Sequence, residues 1–183
     1  MAAFEVATSR RVYDGVLSRV RVDALRGADG ATFEREIVEH VDAVAVVAVD
    51  GDEVVLVRQY RHPVGAELLA IPAGICDVAG EPLEATAARE LAEEVGLAAA
   101  RLTPLTSIHN SAGWTDEHTT LYLGEDLRAV DAPEGYAPEG EEADLAVVRM
   151  PLVEAVRAAA TGGLTDAKTV VGLLAAGHRL GVR

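Results

Sequence analysis

Apolar and polar residues alternate along the first third of the chain, and the period changes to that of a helix near Pro82. RRVYDGVLSRVRVDALR (10–26) sets Val12, Val16, Val20 and Val22 among polar neighbours, GADGA (27–31) supplies a turn, and TFEREIVEHV (32–41) alternates again. This pattern predicts a hairpin or small meander. AVAVVAVD (43–50) is an unbroken apolar run of the kind that forms a buried strand, and GDE turns the chain back into VVLVRQYR (54–61). PLEATAARELAEEVGL (82–97) then repeats Leu83, Ala87, Leu91 and Val95 at a spacing of four, with Pro82 suited to a first turn and Gly96 to a stop. Two strands, 102–109 and 118–123, flank the NSAGWTDE loop, and DAPEGYAPEGEEAD is a long acidic loop before the strand LAVVRM (145–150). PLVEAVRAAATGG and DAKTVVGLLAAGHRL read as two closing helices separated by Gly162 and Gly163. Strands, helix, strands, helices in that order predict an α+β fold with a mixed sheet. We expect an N-terminal β segment over 1–42 and a main domain over 43–183.

Composition narrows the partners. With 16 Lys and Arg against 30 Asp and Glu, the formal net charge is −14, and that field repels nucleic-acid polymers and anionic membranes. A small phosphorylated ligand remains compatible with it, because a divalent cation and one or two arginines reverse the potential locally. The single cysteine, Cys76, excludes an intrachain disulfide and any multi-thiolate metal site, and is expected to be a small inert side chain. The chain is read as cytoplasmic, since neither a signal-like segment nor a membrane-length apolar run is present. His40, His62, His109, His118 and His178 lack the spacing of a helical zinc pair and are read as structural.

The helix over 82–97 poses a chemical question, because it carries Glu84, Glu90, Glu93 and Glu94, and like charges three or four apart repel. Glu90 and Glu94 form a row beside the apolar stripe, and Glu93 lies next to them. Two readings fit this spacing. The carboxylates form either a cradle of hard oxygen ligands for Mg²⁺ or Mn²⁺, or a solvated acidic face relieved by an Arg89–Glu93 pair.

The surrounding residues separate these readings. Glu81, Arg89, Glu90, Leu91, Glu93, Glu94, Gly96 and Leu97 fall in register with G-x5-E-x7-R-E-U-x-E-E-x-G-U, so the stretch resembles the Nudix box. Gly74 alone is displaced, with six residues before Glu81, an insertion in the loop that leaves the helical half intact. PAG (72–74), VRQYRH, FEREIVEH and the EEAD loop further resemble the ADP-ribose pyrophosphatase branch of the Nudix hydrolases. The resemblance implies an α/β/α sandwich with a mixed central sheet. It also implies a homodimer whose N-terminal strands exchange, and a small-molecule nucleotide substrate.

The same resemblance assigns roles. The metal ligands would be Glu90, Glu94 and the Ala73 carbonyl, with Glu93 sharing a second ion, Glu142 also near the metal, and Arg89 orienting the carboxylates. Glu142 would be the general base, with Glu141 as runner-up. Arg61 and Arg35 would grip the diphosphate, and Tyr60, Trp114 and Gly113 would serve the base or ribose. Two positions depart from the branch: Ala70 stands where a glutamate precedes PAG, and Ala112 where a proline follows the box. These touch substrate recognition, so three readings stay open: an ADP-ribose or ADP-sugar pyrophosphatase, a Nudix hydrolase of another nucleotide, and a sensor that binds ADP-ribose-like ligands without turnover.

Overall fold

In the computed structural model, which describes residues 4–138 and 140–182 with the side chains of Glu141 and Glu142 outside the described set, the chain divides into two compact units. The first comprises 4–42 with His109–His118, and the second comprises 43–108 with 119–182.

The first unit is an antiparallel meander of β1 (Phe4–Asp14), β2 (Ser18–Gly27) and β3 (Thr32–His40). Its first turn falls at Gly15–Leu17, closed by the Gly15 N–H on the Ser18 carbonyl at 3.0 Å. Alternation continues in phase on both sides of that turn, which is why periodicity alone runs through it. The loop 110–117 extends the edge of β3. Val38 donates to the Trp114 carbonyl at 2.9 Å, the Val38 carbonyl accepts from Thr115 Oγ1 at 2.8 Å, and His40 N–H donates to the Asp116 carboxylate at 3.0 Å. Every residue of β1 is exposed, among them Phe4, Val6, Val12 and Tyr13.

The second unit is built on β4 (Ala43–Asp50), β5 (Glu53–Arg61), β6 (Ala66–Ala70), β7 (Ala73–Ile75), β8 (Leu97–His109), β9 (His118–Ala129) and β10 (Ala146–Pro151). Strand order is β10-β5-β4-β9-β8, with β6 on β5 and β7 on β4. The β4–β9 pair is parallel and the β4–β5 and β5–β10 pairs antiparallel, which makes the sheet mixed. Residues 43–48 of β4 are all buried because both faces of the sheet are covered. Val44, Val46 and Ala48 pack with Ala87 and Leu91 of α1 (Leu83–Val95), whereas Ala45 and Val47 pack with α2 (Leu152–Thr161) and α3 (Ala167–Leu180). The unit is therefore an α/β/α sandwich, as the family resemblance implied.

Three local devices place the site. Gly96 ends α1 in the left-handed region at φ 64°, donating to the Ala92 and Leu91 carbonyls. Asp166 caps α3 by accepting from Thr169 N–H at 2.9 Å and from its hydroxyl at 2.7 Å, while the same hydroxyl accepts from Ile71 N–H at 2.9 Å. This chain of bonds pins the segment entering β7. Burial pushes the Asp166 carboxyl up, but Lys168 and the Thr169 bonds outweigh it and hold the group below its ordinary range. Third, β5 leaves β4 after Val55, and the β6–β7 segment fills the gap: Val57 pairs with Ala70, Val46 N–H donates to the Pro72 carbonyl, and Ala45 pairs with Ala73. Neither β6 nor β7 is evident from the sequence, both being too short to show a period. Among the described residues no helix is long and apolar enough to cross a membrane.

Candidate active site

Helix α1 presents its acidic row to the strand β7. The stripe Ala87 and Leu91 is fully buried against the sheet, so the positions beside it are half-covered, and Glu90 and Glu94 point along the sheet toward Ala73 and Gly74. Glu94 Oε2 accepts from Ala73 N–H at 2.9 Å. A Cβ on Gly74 would overlap the Glu90 carboxylate, so the absence of a side chain there is what makes room for it. Gly74 lies on the α1 face because its partner Val44 does.

Arg89 organises the rest. Its guanidinium donates to Glu90 Oε1 at 2.7 Å, Glu93 Oε2 at 2.9 Å, Glu81 Oε2 at 3.2 Å and Asp77 Oδ1 at 3.3 Å. Burial alone would lower the Arg89 pKa, but the Glu81 bond and the charges of Glu90 and Glu93 raise it further, so the group stays charged. Glu81 is held below its ordinary range by Arg89 first and by the Thr86 hydroxyl second. Glu90 goes the other way. Burial pushes it up to about 7; Arg89 opposes the shift and the neighbouring Glu93 charge adds to it.

Of the two readings of the acidic helix, the structure contains the arginine pairing. Arg89 relieves the repulsion between Glu90 and Glu93 by bonding both through NH1, and among the described residues no group of three acidic, His or Cys side chains has metal-ligating spacing. The donor set nevertheless fits a hard divalent cation. Two carboxylates from one helix face converge on the Ala73–Gly74 backbone, and burial pushes one of them, Glu90, up to about 7, a buried acid that a cation would compensate. Gly74→Ala tests this fit. Its Cβ meets the flexible end of Glu90 and no backbone, and Gly74 has no left-handed φ, so the fold is expected to survive. Displacing the carboxylate should weaken Mg²⁺ binding by roughly ten- to a hundredfold in calorimetry.

The remaining candidates fall in three places. On β5 the alternation puts Val55, Val57, Gln59 and Arg61 on the α1 face, while Arg58 and Tyr60 are exposed on the other. Arg61 thus shares a face with the acidic cluster, whereas Tyr60 does not, and its ring lies 6.3 Å from that of His62. In the first unit a cavity of about 560 Å³ gathers Arg35, Gly113 and Trp114 with His109 and Asp116. Arg35 stacks over Phe33 at 4.6 Å and donates to the Glu34 carbonyl at 3.1 Å. Glu141 and Glu142 have side chains outside the described residues. Their backbone forms the 3-10 turn Gly140–Asp144, which packs beside β5. Since Ala146 pairs with Arg58 in antiparallel register, the turn lies toward the Tyr60–Arg61 end of that strand.

The sequence pattern does not single out Asp77, His109, Asp116 or Gln59 for the site. Isolated residues in loops and strands carry no spacing signal, and their placement depends on pairings that bring together positions distant along the chain.

A family model, the NUDIX domain, matches residues 39–170, and the chain belongs to that family. It is a Nudix pyrophosphohydrolase, a class of enzyme that works with a divalent metal. It is 40% identical over 173 residues to the ADP-ribose pyrophosphatase of Mycobacterium tuberculosis, covering 94% of this chain and 82% of that protein. Identity to the ADP-ribose pyrophosphatase of Bacillus subtilis is 33% over 160 residues, covering 87% and 84%. The fold also matches a crystal structure described as an ADP compounds hydrolase, with a TM-score of 0.85 at 24% identity, over 99% of this chain and 96% of that one.

Proposed function

We propose that this enzyme hydrolyses the pyrophosphate bond of ADP-ribose or a related ADP-sugar, releasing AMP and a sugar phosphate. The observation that carries the reading is the convergence of Glu90 and Glu94 on the Ala73–Gly74 backbone. The names of the M. tuberculosis and B. subtilis relatives support the substrate.

Glu90, Glu94 and the Ala73 carbonyl would hold Mg²⁺ or Mn²⁺, with Glu93 and Glu142 available to a second ion. Such an ion supplies neutralisation of phosphate charge and acidification of bound water. Arg89 fixes the carboxylates through its bonds to Glu81, Glu90 and Glu93. Arg61 grips phosphate oxygens from the α1 face of β5. Arg35, Gly113 and Trp114 serve the nucleoside end, where the indole offers a stacking surface. Tyr60, on the opposite face from Arg61, is assigned no part at the diphosphate. Glu142 takes the proton from the attacking water, with Glu141 as its alternative.

The working form is a homodimer. A strand exposed along its whole length and bearing Phe4, Val6, Val12 and Tyr13 gains burial from a second copy of the chain. We place the enzyme in a reducing cytoplasm on the ground of its single cysteine.

Ala70 and Ala112 favour a second reading, in which the same chemistry acts on another nucleotide. Incubation with Mg²⁺ and a panel of nucleotide sugars, dinucleotides and triphosphates separates the two. ADP-ribose is expected to give the highest kcat/KM, with AMP as product. A better substrate elsewhere in the panel transfers the assignment, and tight binding without products makes the protein a sensor.

A further inference from the structure

Gln59 is 4% exposed, and its Oε1 is buried without a hydrogen-bond partner among the described residues. Leaving such an oxygen unpaired forfeits its hydration with no bond in return. Buried orphan groups are rare in native proteins and call for an explanation in each case.

The register says where this oxygen sits. Gln59 follows Val55 and Val57 on the α1 face of β5, immediately before Arg61 on the same face. It pairs with Leu68 of β6, and the next pair toward the core is Val57 with Ala70. Ala70 leads within four residues to Gly74, again on the α1 face, where the Glu90 carboxylate lies. Val57, Leu68 and Ala70 provide no donor, and Arg61, the next residue on this face, makes no hydrogen bond to the oxygen. Helix α1 packs against β4, β5 and β7, so the face of β5 that carries Gln59 is the face on which the acidic cluster lies.

A carboxamide oxygen accepts only, so it repels phosphate and carboxylate and welcomes an O–H or N–H. At so covered a position a small donor fits better than a sugar. Hard divalent ions such as Mg²⁺ keep several of their waters, and those waters are polarised donors. We propose that Gln59 is a positioning residue of the metal cradle, its side-chain oxygen accepting a hydrogen bond from a water on the divalent ion held by α1 and β7. This rests on the proposed metal-dependent hydrolysis and adds to it a residue outside the helix.

Replacing the glutamine by an apolar side chain of similar volume separates this role from a structural one. In Gln59→Leu, or in Gln59→Met should the branched side chain prevent folding, the orphan oxygen is gone. The melting midpoint of the metal-free protein should then stay level or rise. Calorimetric Mg²⁺ affinity should weaken about tenfold and kcat fall by about as much or more, with KM within about threefold of wild type. Unchanged Mg²⁺ affinity and kcat would overturn the proposal, as would a metal-free protein that melts lower while its Mg²⁺ affinity is kept. A loss confined to KM would assign the oxygen to a substrate hydroxyl and also overturn it. Wild-type protein that binds no Mg²⁺ removes the hydrolase reading as well, whereas an active wild type with an indifferent variant removes this inference alone.

Discussion

Glu90→Gln is expected to lower kcat by roughly three orders of magnitude, the scale at which a group aimed at developing phosphate charge is lost. The metal-free variant should nonetheless fold at least as firmly as wild type at about pH 8. The reason lies in the burial of this carboxyl. Packed against Gly74 and beside Glu93, it titrates at about 7, despite the Arg89 guanidinium 2.7 Å away. Its folded value is above its ordinary 4.5, so the native state binds the proton more tightly than the unfolded chain does. The corresponding stability is fully present below the unfolded value and is lost as pH rises through the folded one. Metal-free wild type should therefore lose part of its melting midpoint between about pH 4.5 and 7, and Glu90→Gln should flatten that slope. Saturating Mg²⁺ replaces the proton, so the stabilisation it confers on wild type should grow over the same interval. Melting curves across that range with and without MgCl₂, beside steady-state rates, check all three outcomes. Full turnover in the variant would remove Glu90 from the cradle.

The parts of the fold that were readable are those whose signal is local. Residues 43–50 announced a strand covered on both faces because its apolar run is continuous, and α1 announced itself through a stripe, a first-turn proline and a terminal glycine. Between these, the β6–β7 wedge was silent. AELLA and AGI are too short to carry a period, and their position follows from the parting of β5 and β4 after Val55. That wedge supplies Gly74, Ala73 and the surroundings of Gln59, so the helix half of the site was visible in the residue pattern, whereas Ala73 and Gly74 were reached only through the family resemblance. The split between Arg61 and Tyr60 was legible in principle, since neighbours on a strand face opposite ways. Arg35, Gly113 and Trp114 illustrate the converse. They stand out for their chemistry, and the pairing of Val38 with the Trp114–Asp116 backbone is what gathers them around one cavity.

Glu142→Gln should lower kcat by about a thousandfold, within the range that a positioned general base contributes, and leave KM and Mg²⁺ affinity within about threefold. The 3-10 turn Gly140–Asp144 precedes β10, whose first pair, Ala146 with Arg58, directs the turn toward Arg61 on β5. A carboxylate carried there arrives from a loop instead of the helix, so it can receive a proton without giving up the geometry that Arg89 imposes on Glu90 and Glu93. Retained binding with lost turnover is the mark of a proton acceptor. A parallel drop in Mg²⁺ affinity would leave Glu142 the ligand's role at a second ion and remove it as the base. Glu141→Gln serves as the control. It should stay within about threefold of wild-type kcat, and the acid limb of its pH–rate profile should match that of wild type. If Glu141→Gln shows the thousandfold loss and Glu142→Gln the mild one, the two exchange roles.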